Sequence, residues 1–433
     1  MGGLLMALAF ATGSVNVAST ATVGTTFDLV AGFAAKALLL WSTGRSETTD
    51  AVGGGNHNTV MGAAISATNR LTKASFSQDA AATSVNTRGQ RNTAVWGEVD
   101  GAGTPVWTGL LDVNNFTASG GGVQLIVDDQ LAATREIFWA IWGGDDITDV
   151  ALVEFQEPGA TGDQDITTLS FRPDAVILGH QRSSTNNATF STASHHGLGF
   201  AIHPDGGSVE QCAVLAMADG GSATMDCDRW GSNTRCLAMN DNGGGDLNGY
   251  ASYVTSLSNG FRLNWPARAF TAWCFALCFK GGLWSVGEGT TPTSAGSTVT
   301  VTTTGSFSPR GGLVLSHGQT ESAAAPTAQT GDEWSQGAYT STTNRLACAR
   351  LDRDALADAQ VATAIEHDEV LVLISSSDTV RDAMDVDAIL SNGTRFIMDT
   401  ADGVADWFGV LQFGDTGRPR MTTPVSWYRA TNW

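Results

Sequence analysis

The histidines are the first residues to consider for chemistry, because the chain has only seven and four of them fall in one short stretch. These four are His180, His195, His196 and His203. Imidazoles are common zinc ligands, but adjacent residues of a strand point to opposite faces, so His195 and His196 have poor geometry for sharing one ion. We therefore expect these histidines in loops at turns, and the sequence predicts no metal-binding residues.

The stretch NDNGGGDLNG at 240–249 offers clustered carboxylate and amide oxygens, which are the ligands that calcium prefers. It lacks the fixed ligand spacing of a calcium loop and the glutamate that closes one. A solvated hairpin loop is the favoured interpretation, and cation binding at 240–249 stays an open alternative.

Pairs of carboxylates raise the possibility of glycoside hydrolysis, which needs two of them about 5–10 Å apart across the scissile bond. The candidate pairs are Asp128 with Asp129, Asp352 with Asp354, and Asp399 with Asp402. A chain with 43 acidic residues produces such pairs by chance. The chain also has no phosphate-binding loop, no His-Glu-x-x-His and no Gly-x-Ser-x-Gly motif. The sequence therefore predicts no catalytic residues, no cofactor-binding residues and no enzymatic activity.

A Thr-Asn-Arg trio occurs twice, at 68–70 and at 343–345. Its asparagine and arginine could donate hydrogen bonds to glycan hydroxyls. The favoured interpretation is a turn that follows a short strand, with the asparagine in a left-handed conformation.

The elements that would position all these residues recur along the chain. The phrase FRPDAVI at 171–177 is preceded and followed by similar phrases, so that phenylalanine recurs at positions 33, 171 and 307. Glycine recurs in the same frame at 62, 199 and 337. Near-equal spacing over most of a chain indicates an internal repeat, and at this period each copy is a small domain.

Each copy reads as a series of short strands, because apolar residues alternate with Thr and Ser and no segment sustains a helical period. A Thr-rich lead-in precedes the apolar strand, a polar loop follows it, and Asn259-Gly260 and Asn392-Gly393 signal hairpins. The fold class is therefore all-β, with three tandem antiparallel β-sandwich, jelly-roll-like repeats of about eight strands. We expect repeats at 1–150, 151–283 and 284–414, followed by a docking tail at 415–433. The expected core residues are Phe33, Leu39, Ile141, Phe171, Ile177, Leu277, Phe307 and Leu315.

Composition limits the partners. The formal net charge is −20 and lysine occurs only three times, which argues against a nucleic-acid partner. The chain has no apolar run long enough to span a membrane, so we expect no membrane insertion.

The six cysteines are too few for a disulfide scaffold, and we expect buried thiols. The apolar stretch near Met1 has no basic residues before it, so we do not expect a signal peptide.

The repeated phrases FRPDAVI at 171–177, NGFRL at 259–263 and the aromatic strand 273–277 resemble β-rich repeat modules of tailed-phage virion proteins. Tail-fibre, spike and head-decoration proteins contain such modules. The resemblance covers residues 9–414, and the first copy departs from it, with Ala34-Ala35 in place of the proline. It implies a non-catalytic virion protein with a part in host attachment, whose partners are other virion proteins, copies of itself and a host surface glycan. A lectin-like carbohydrate-binding protein and a glycan-degrading depolymerase are the alternatives.

The copies differ most in the loops that follow the apolar strand, at 43–58, 181–196 and 318–332. Loops tolerate change because they leave the core intact, and binding residues collect on them. We therefore predict a pseudo-three-fold body with these loops gathered at one end, and a tail from Asp415 that docks on a neighbouring subunit. An extended fibre of separate domains is the alternative.

Overall fold

The computed structural model describes residues 8–416, apart from positions 82, 102, 119, 188, 189, 220–224, 241–246, 269, 321–330 and 354–359. Within the described residues the chain is all-β, as the sequence predicts, and it contains no helix. Accordingly, no helix in the described part is long and apolar enough to cross a membrane. The predicted tail lies outside the described residues beyond Thr416, as does most of the predicted hairpin loop at 240–249.

The strands fall into three consecutive segments. The first segment contains β1 (Ala9–Val17), β2 (Thr26–Val30), β3 (Ala35–Ser42), β4 (Ala51–Gly54), β5 (His57–Ala64), β6 (Arg70–Ser77), β7 (Asn86–Arg91), β8 (Trp96–Asp100), β9 (Val106–Asn115), β10 (Gly122–Asp129) and β11 (Arg135–Gly143). The second contains β12 (Ile147–Gln156), β13 (Gly162–Ile166), β14 (Ala175–His180), β15 (Ser191–Thr192), β16 (Ser194–Ile202), β17 (Glu210–Ala218), β18 (Cys227–Ser232), β19 (Leu237–Asn240), β20 (Leu247–Leu257), β21 (Gly260–Ala267) and β22 (Trp273–Gly281). The third contains β23 (Leu283–Thr290), β24 (Thr298–Thr302), β25 (Gly311–Ser316), β26 (Asp332–Tyr339), β27 (Arg345–Asp352), β28 (Val361–Glu366), β29 (Leu371–Ile374), β30 (Val380–Leu390), β31 (Gly393–Thr400) and β32 (Trp407–Gly414).

Each segment forms one large and one small antiparallel sheet, and the strand order is the same in all three. The large sheets have the orders β1-β11-β3-β5-β6-β7, β12-β22-β14-β16-β17-β18 and β23-β32-β25-β26-β27-β28. The small sheets have the orders β2-β10-β9-β8, β13-β21-β20-β19 and β24-β31-β30-β29. Each segment therefore uses ten such strands rather than about eight. The predicted lead-in is two strands, one in each sheet.

Two short strands cross from one segment to another. Strand β15 of the second segment pairs with β7 of the first, and β4 of the first pairs with β28 of the third. Both lie in the variable loops that follow the apolar strand. These loops therefore extend the large sheet of a neighbouring segment instead of standing free in solvent. The domain boundaries remain predictions. Strand β12, which begins at Ile147, belongs to the large sheet of the second segment.

The apolar strand of each segment is buried on both faces. In β14, for example, Val176 and Leu178 pack into a core specific to the second segment, whereas Ile177 packs into a core shared by all three. Strands β3 and β25 alternate in the same way between their own cores and the shared one. Burial on two faces explains why these strands are continuous apolar runs rather than alternating ones.

The shared apolar core contains an aromatic group supplied by the last strand of each segment. Trp142, Phe279 and Phe413 occupy the same place in β11, β22 and β32, opposite the first strand of their sheets. The ring centroid of Trp142 lies 5.3 Å from that of Phe279 and 5.9 Å from that of Phe413. Rings at these separations stabilise one another beyond the area they bury. The three segments are thereby joined through one continuous core.

The core predictions hold with one exception. Seven of the eight predicted residues are buried, and Phe33 is half-buried. Six of the seven belong to one of two kinds of core: Leu39, Ile177, Leu277 and Leu315 lie in the shared core, while Ile141 lies in the core of the first segment and Phe171 in that of the second. All six cysteines are buried free thiols, as predicted.

Candidate functional site

The variable loops leave the apolar strand through a left-handed residue in every segment. The positions are Gly44, Arg182 and Gly318, with φ values of 87°, 51° and 66°. The next residue then accepts a backbone hydrogen bond from the start of the last strand: Trp273 N–H donates to Ser183 O at 2.8 Å, with matching bonds from Glu136 to Arg45 and from Trp407 to Gln319. The three loop bases are therefore built alike, and arginine is the exceptional residue among them.

A buried polar cluster lies where the three segments meet beside these loops. This shared polar cluster consists of His57, Thr59, Ser77, Ser194, Asp332, Arg350 and Asp352. Asp352 Oδ2 lies 3.1 Å from His57 Nε2 and accepts a hydrogen bond from Ser77 Oγ at 3.3 Å. Ser77 Oγ also lies 3.3 Å from Ser194 Oγ of the second segment. The cluster thus connects side chains of all three segments.

Charge within the cluster is balanced by close pairing. Arg350 Nη2 donates to Asp332 Oδ2 at 2.5 Å, and both side chains are completely buried. Burial raises the pKa of Asp332 well above its usual range, although Arg350 opposes the shift. Burial lowers the pKa of His57, and the carboxylate of Asp352 opposes that shift. Formation of the cluster therefore removes several polar groups from water together.

Thr59, His57 and Asp352 form a hydroxyl–imidazole–carboxylate series of the kind used for nucleophilic catalysis. Thr59 Oγ1 lies 3.3 Å from His57 Nδ1, and the other imidazole nitrogen faces Asp352. A nucleophile must reach a bound substrate as well as its base. All three side chains are fully buried. In this arrangement the series can hold the segments together, and it offers no surface on which a substrate could bind.

The predicted histidine group is dispersed. His195 and His196 lie on strand β16 and are buried, so the expectation that they occupy a loop is wrong. They face opposite ways, as their adjacency predicts: His195 contacts Arg182, whereas His196 packs against Trp334. His180 Nε2 donates to Ala238 O at 2.6 Å.

The Thr-Asn-Arg trios are turns, as favoured. The N–H of Ile65 donates to Asn69 O, and Arg70 forms an ion pair with Asp112. The left-handed asparagine is wrong, since neither Asn69 nor Asn344 has a positive φ. Instead Asn69 Nδ2 donates to Leu152 O of the second segment, and Asn344 Nδ2 donates to Thr12 O of the first. These asparagines join neighbouring segments.

The acidic residues of the candidate pairs occupy different parts of the structure, and Asp354 lies outside the described residues. Asp352 belongs to the shared polar cluster, and Asp402 is paired with Arg381 at 3.0 Å. Asp128 and Asp129 are exposed at the end of β10. A different acidic group, Asp50, Glu366 and Asp368, was not predicted, and its oxygens lie within 4.8 Å of one another. Asp50 and Asp368 are exposed whereas Glu366 is buried, and exposed acidic groups are common without an ion.

Two clefts lie at equivalent junctions between segments. One, of about 530 Å³, is lined by Arg229, Arg381, Glu333, Asp402 and Asp406 among others, and we call it the acidic cleft. The other, of about 360 Å³, is lined by Arg88, Arg182, Arg268, Phe270, Ser184 and Ser191 among others, and we call it the arginine cleft. Arg229 and Arg88 hold the same place in the sixth strand of their large sheets. Each cleft therefore combines one segment's loop with the neighbouring segment's sixth strand.

The third such junction is closed. Thr363 takes the place of the arginine there, and its carbonyl accepts a hydrogen bond from Arg45 Nη2 at 2.9 Å. Strand β4 covers the same edge by pairing with β28.

Sequence reasoning missed the arginine cleft. Its arginines are distant in sequence and come from two segments, so no local motif marks them. One signal was available: aligning the three copies places an arginine at 182 where the others have Gly44 and Gly318.

No protein-family model matches this chain, and no curated protein matches it.

Proposed function

We propose that this protein is a non-catalytic structural protein of a tailed-phage virion, exposed on tail, fibre or capsid, with a part in host attachment. Its three segments are jelly-roll-like β-sandwich repeats of one chain, arranged as a pseudo-three-fold body. The virion is its location, and other virion proteins and copies of itself are its partners. The family part of this proposal comes from the resemblance of the repeated phrases.

The observation that carries the structural role is the shared apolar core. Equivalent aromatic residues from three strands meet within it, and each segment also keeps its own core. Such a body has little freedom for the hinge motions that many enzymes use, and it suits a rigid part of a particle. The acidic surface keeps copies soluble before assembly.

Two cyclic features support the pseudo-three-fold arrangement. Strand β15 of the second segment extends the large sheet of the first segment, and strand β4 of the first segment extends the large sheet of the third. The two clefts repeat the same relation between segments. A chain of separate domains along a fibre would not produce contacts between the first and third segments.

The test is to locate the protein on particles. Antibodies raised against the full chain should label purified phage particles in immunoelectron microscopy, and its peptides should be found in those particles by mass spectrometry. Particles that lack the protein would contradict the virion assignment. A second assay measures reducing sugars released from host surface polysaccharide, and rapid release would favour the depolymerase alternative.

A further inference from the structure

We propose that the arginine cleft binds the carboxylate of an acidic saccharide. The site lies between the loop of the second segment and strand β7 of the first. The inference stands without the virion assignment, since a failed saccharide test leaves the structural role intact. Equally, particles without the protein would leave the cleft and its chemistry unchanged.

The acidic cleft is the internal control for this argument, because its arginines are neutralised by the chain itself. Arg229 Nη1 lies 3.0 Å from Glu333 Oε2, and Arg381 pairs with Asp402 at 3.0 Å and Asp406 at 2.7 Å. Charge-assisted pairs of this kind are about twice as strong as neutral hydrogen bonds. The acidic cleft therefore already contains the carboxylates that pair with its arginines.

The arginine cleft lacks the corresponding carboxylates. The place of Asp406 is taken by Ala272, one residue before Trp273, whose hydrogen bond to Ser183 recurs in the other two segments. The place of Glu333 in the fourth strand of the large sheet is taken by His195. The substitutions remove two negative charges and keep the arginine of the sixth strand.

Arg88 shows the consequence most clearly. Its side chain is 6% exposed, and it donates to the carbonyls of Arg182, Thr192 and Ala193. Within the described residues it has no ion pair with a carboxylate. Burial, and then the charge of Arg182, lower the pKa of Arg88 to about 9. A bound anion would offset this unfavourable burial of positive charge.

Arg182 occupies a conformation that disfavours a side chain. Its φ of 51° is left-handed, and both other segments have glycine at this place. A residue in a strained conformation of this type persists only when the structure around it holds it in place. The guanidinium carbon lies 3.6 Å from the ring centroid of Phe270, and Nη1 lies 3.3 Å from His195 Nε2. These contacts hold the guanidinium in a fixed orientation at the cleft.

Arg268 is the third arginine that lines the cleft. Its Nε donates to Pro158 O at 2.9 Å, which anchors the side chain while engaging only one of its five N–H groups. No ion pair joins it to a described carboxylate. Glu157 is buried nearby and accepts a hydrogen bond from Phe270 N–H, but it does not line the cleft.

Shape and charge select the ligand class. A planar carboxylate matches the arginine fork, and the hydroxyls of Ser184 and Ser191 can bond sugar hydroxyls. A volume of about 360 Å³ is at the lower end of the range for small-ligand sites. The net charge of −20 opposes the approach of a long polyanion such as nucleic acid.

Isothermal titration calorimetry on the full chain tests the proposal at constant low ionic strength. The probes are sodium glucuronate, the uncharged methyl glucoside of the same ring, and sodium sulfate. The variants are Arg182→Gly, which restores the residue of the other two segments, and Arg268→Gln. The matched control is Arg235→Gln, which removes an arginine stacked 4.9 Å from the Tyr250 ring centroid outside the cleft. Thermal melting verifies that each variant is folded.

We expect glucuronate to bind the natural chain at least tenfold more tightly than either the methyl glucoside or sulfate. Arg182→Gly and Arg268→Gln should each weaken glucuronate binding by about tenfold or more, because each removes a charged hydrogen-bond donor. Arg235→Gln should leave it unchanged. Absence of glucuronate binding, or equal binding by the cleft variants, would overturn the site. Sulfate or methyl glucoside binding as tightly as glucuronate would overturn the acidic-saccharide assignment.

Discussion

His57 Nε2 lies 3.1 Å from Asp352 Oδ2, although 295 positions of sequence separate the two residues. Both side chains are completely buried, one on a strand of the first segment and the other on a strand of the third. The contact can exist only when the first and third segments fold against each other. It therefore reports on the assembly of the whole body rather than on one sheet.

Asp352→Ala tests how much that contact stabilises the assembly. Removing one partner of a buried pair leaves the other uncompensated, and such changes cost about 3–5 kcal/mol. The free energy of unfolding, measured by urea denaturation, should fall by that order. The control is Arg395→Ala, which breaks a partly exposed pair with Asp387 and should cost under about 1 kcal/mol. Equal losses in the two variants would contradict the assigned role.

Phe279→Ala tests whether the shared apolar core makes the three segments one cooperative unit. The substitution removes a buried ring that contacts Trp142 of the first segment and Trp284 of the third. Such truncations cost about 3–5 kcal/mol. We expect a single unfolding transition that shifts to lower urea when followed by tryptophan fluorescence and by circular dichroism. Val254→Ala, at a position 41% exposed, is the control and should change little. Separate transitions in the natural chain would show independent segments.

The sequence predicts the local strands well and the contacts between segments poorly. Apolar runs such as 175–178 and the hairpin at Asn259-Gly260 are set by neighbouring residues, so they can be read directly. What Ile177 packs against depends on residues more than a hundred positions away. The arginine cleft could not be predicted for the same reason, because Arg88 and Arg268 line one cleft only after two segments have docked.

Acid should destabilise the protein through its buried histidines. Burial lowers the pKa of His180 and of His317 to about 3, so both stay neutral in the folded chain over most of the acidic range. In the unfolded chain a histidine takes up a proton near pH 6.5. The unfolded state then binds more protons, and the stability due to each group is lost as pH falls below about 6.5, by about 1.4 kcal/mol per pH unit.

His317→Phe isolates one of these contributions and keeps an aromatic ring against Trp407. Between pH 6 and pH 5 the variant should lose less stability than the natural chain, by about 1 kcal/mol. His367→Gln should act in the opposite direction. The carboxylate of Glu136, 3.5 Å from His367 Nε2, raises the pKa of His367, so this group adds stability as pH falls and its removal steepens the loss. Urea denaturation across this pH range measures both slopes, and identical slopes in all three chains would contradict the assignment.

The glycines at 62, 199 and 337, which set the frame of the repeat, provide the last prediction. A Cβ atom at these positions would lie 1.7 Å from Val95 O, 2.1 Å from Cys236 O and 1.9 Å from Val370 O respectively. In each segment the large sheet thus approaches the backbone just before the fourth strand of the small sheet. A backbone carbonyl held by its own sheet cannot move aside cheaply. Overpacking of this kind costs about 1–3 kcal/mol.

Gly199→Ala should therefore lower the free energy of unfolding by about 2–3 kcal/mol. The matched control is Gly159→Ala, because no atom lies within 4 Å of a Cβ at that exposed position. It should change the stability by less than about 0.5 kcal/mol. Urea denaturation of both variants at pH 7.5 compares them directly. If Gly199→Ala is as stable as Gly159→Ala, the spacing of these glycines has another cause than the close approach of the two sheets.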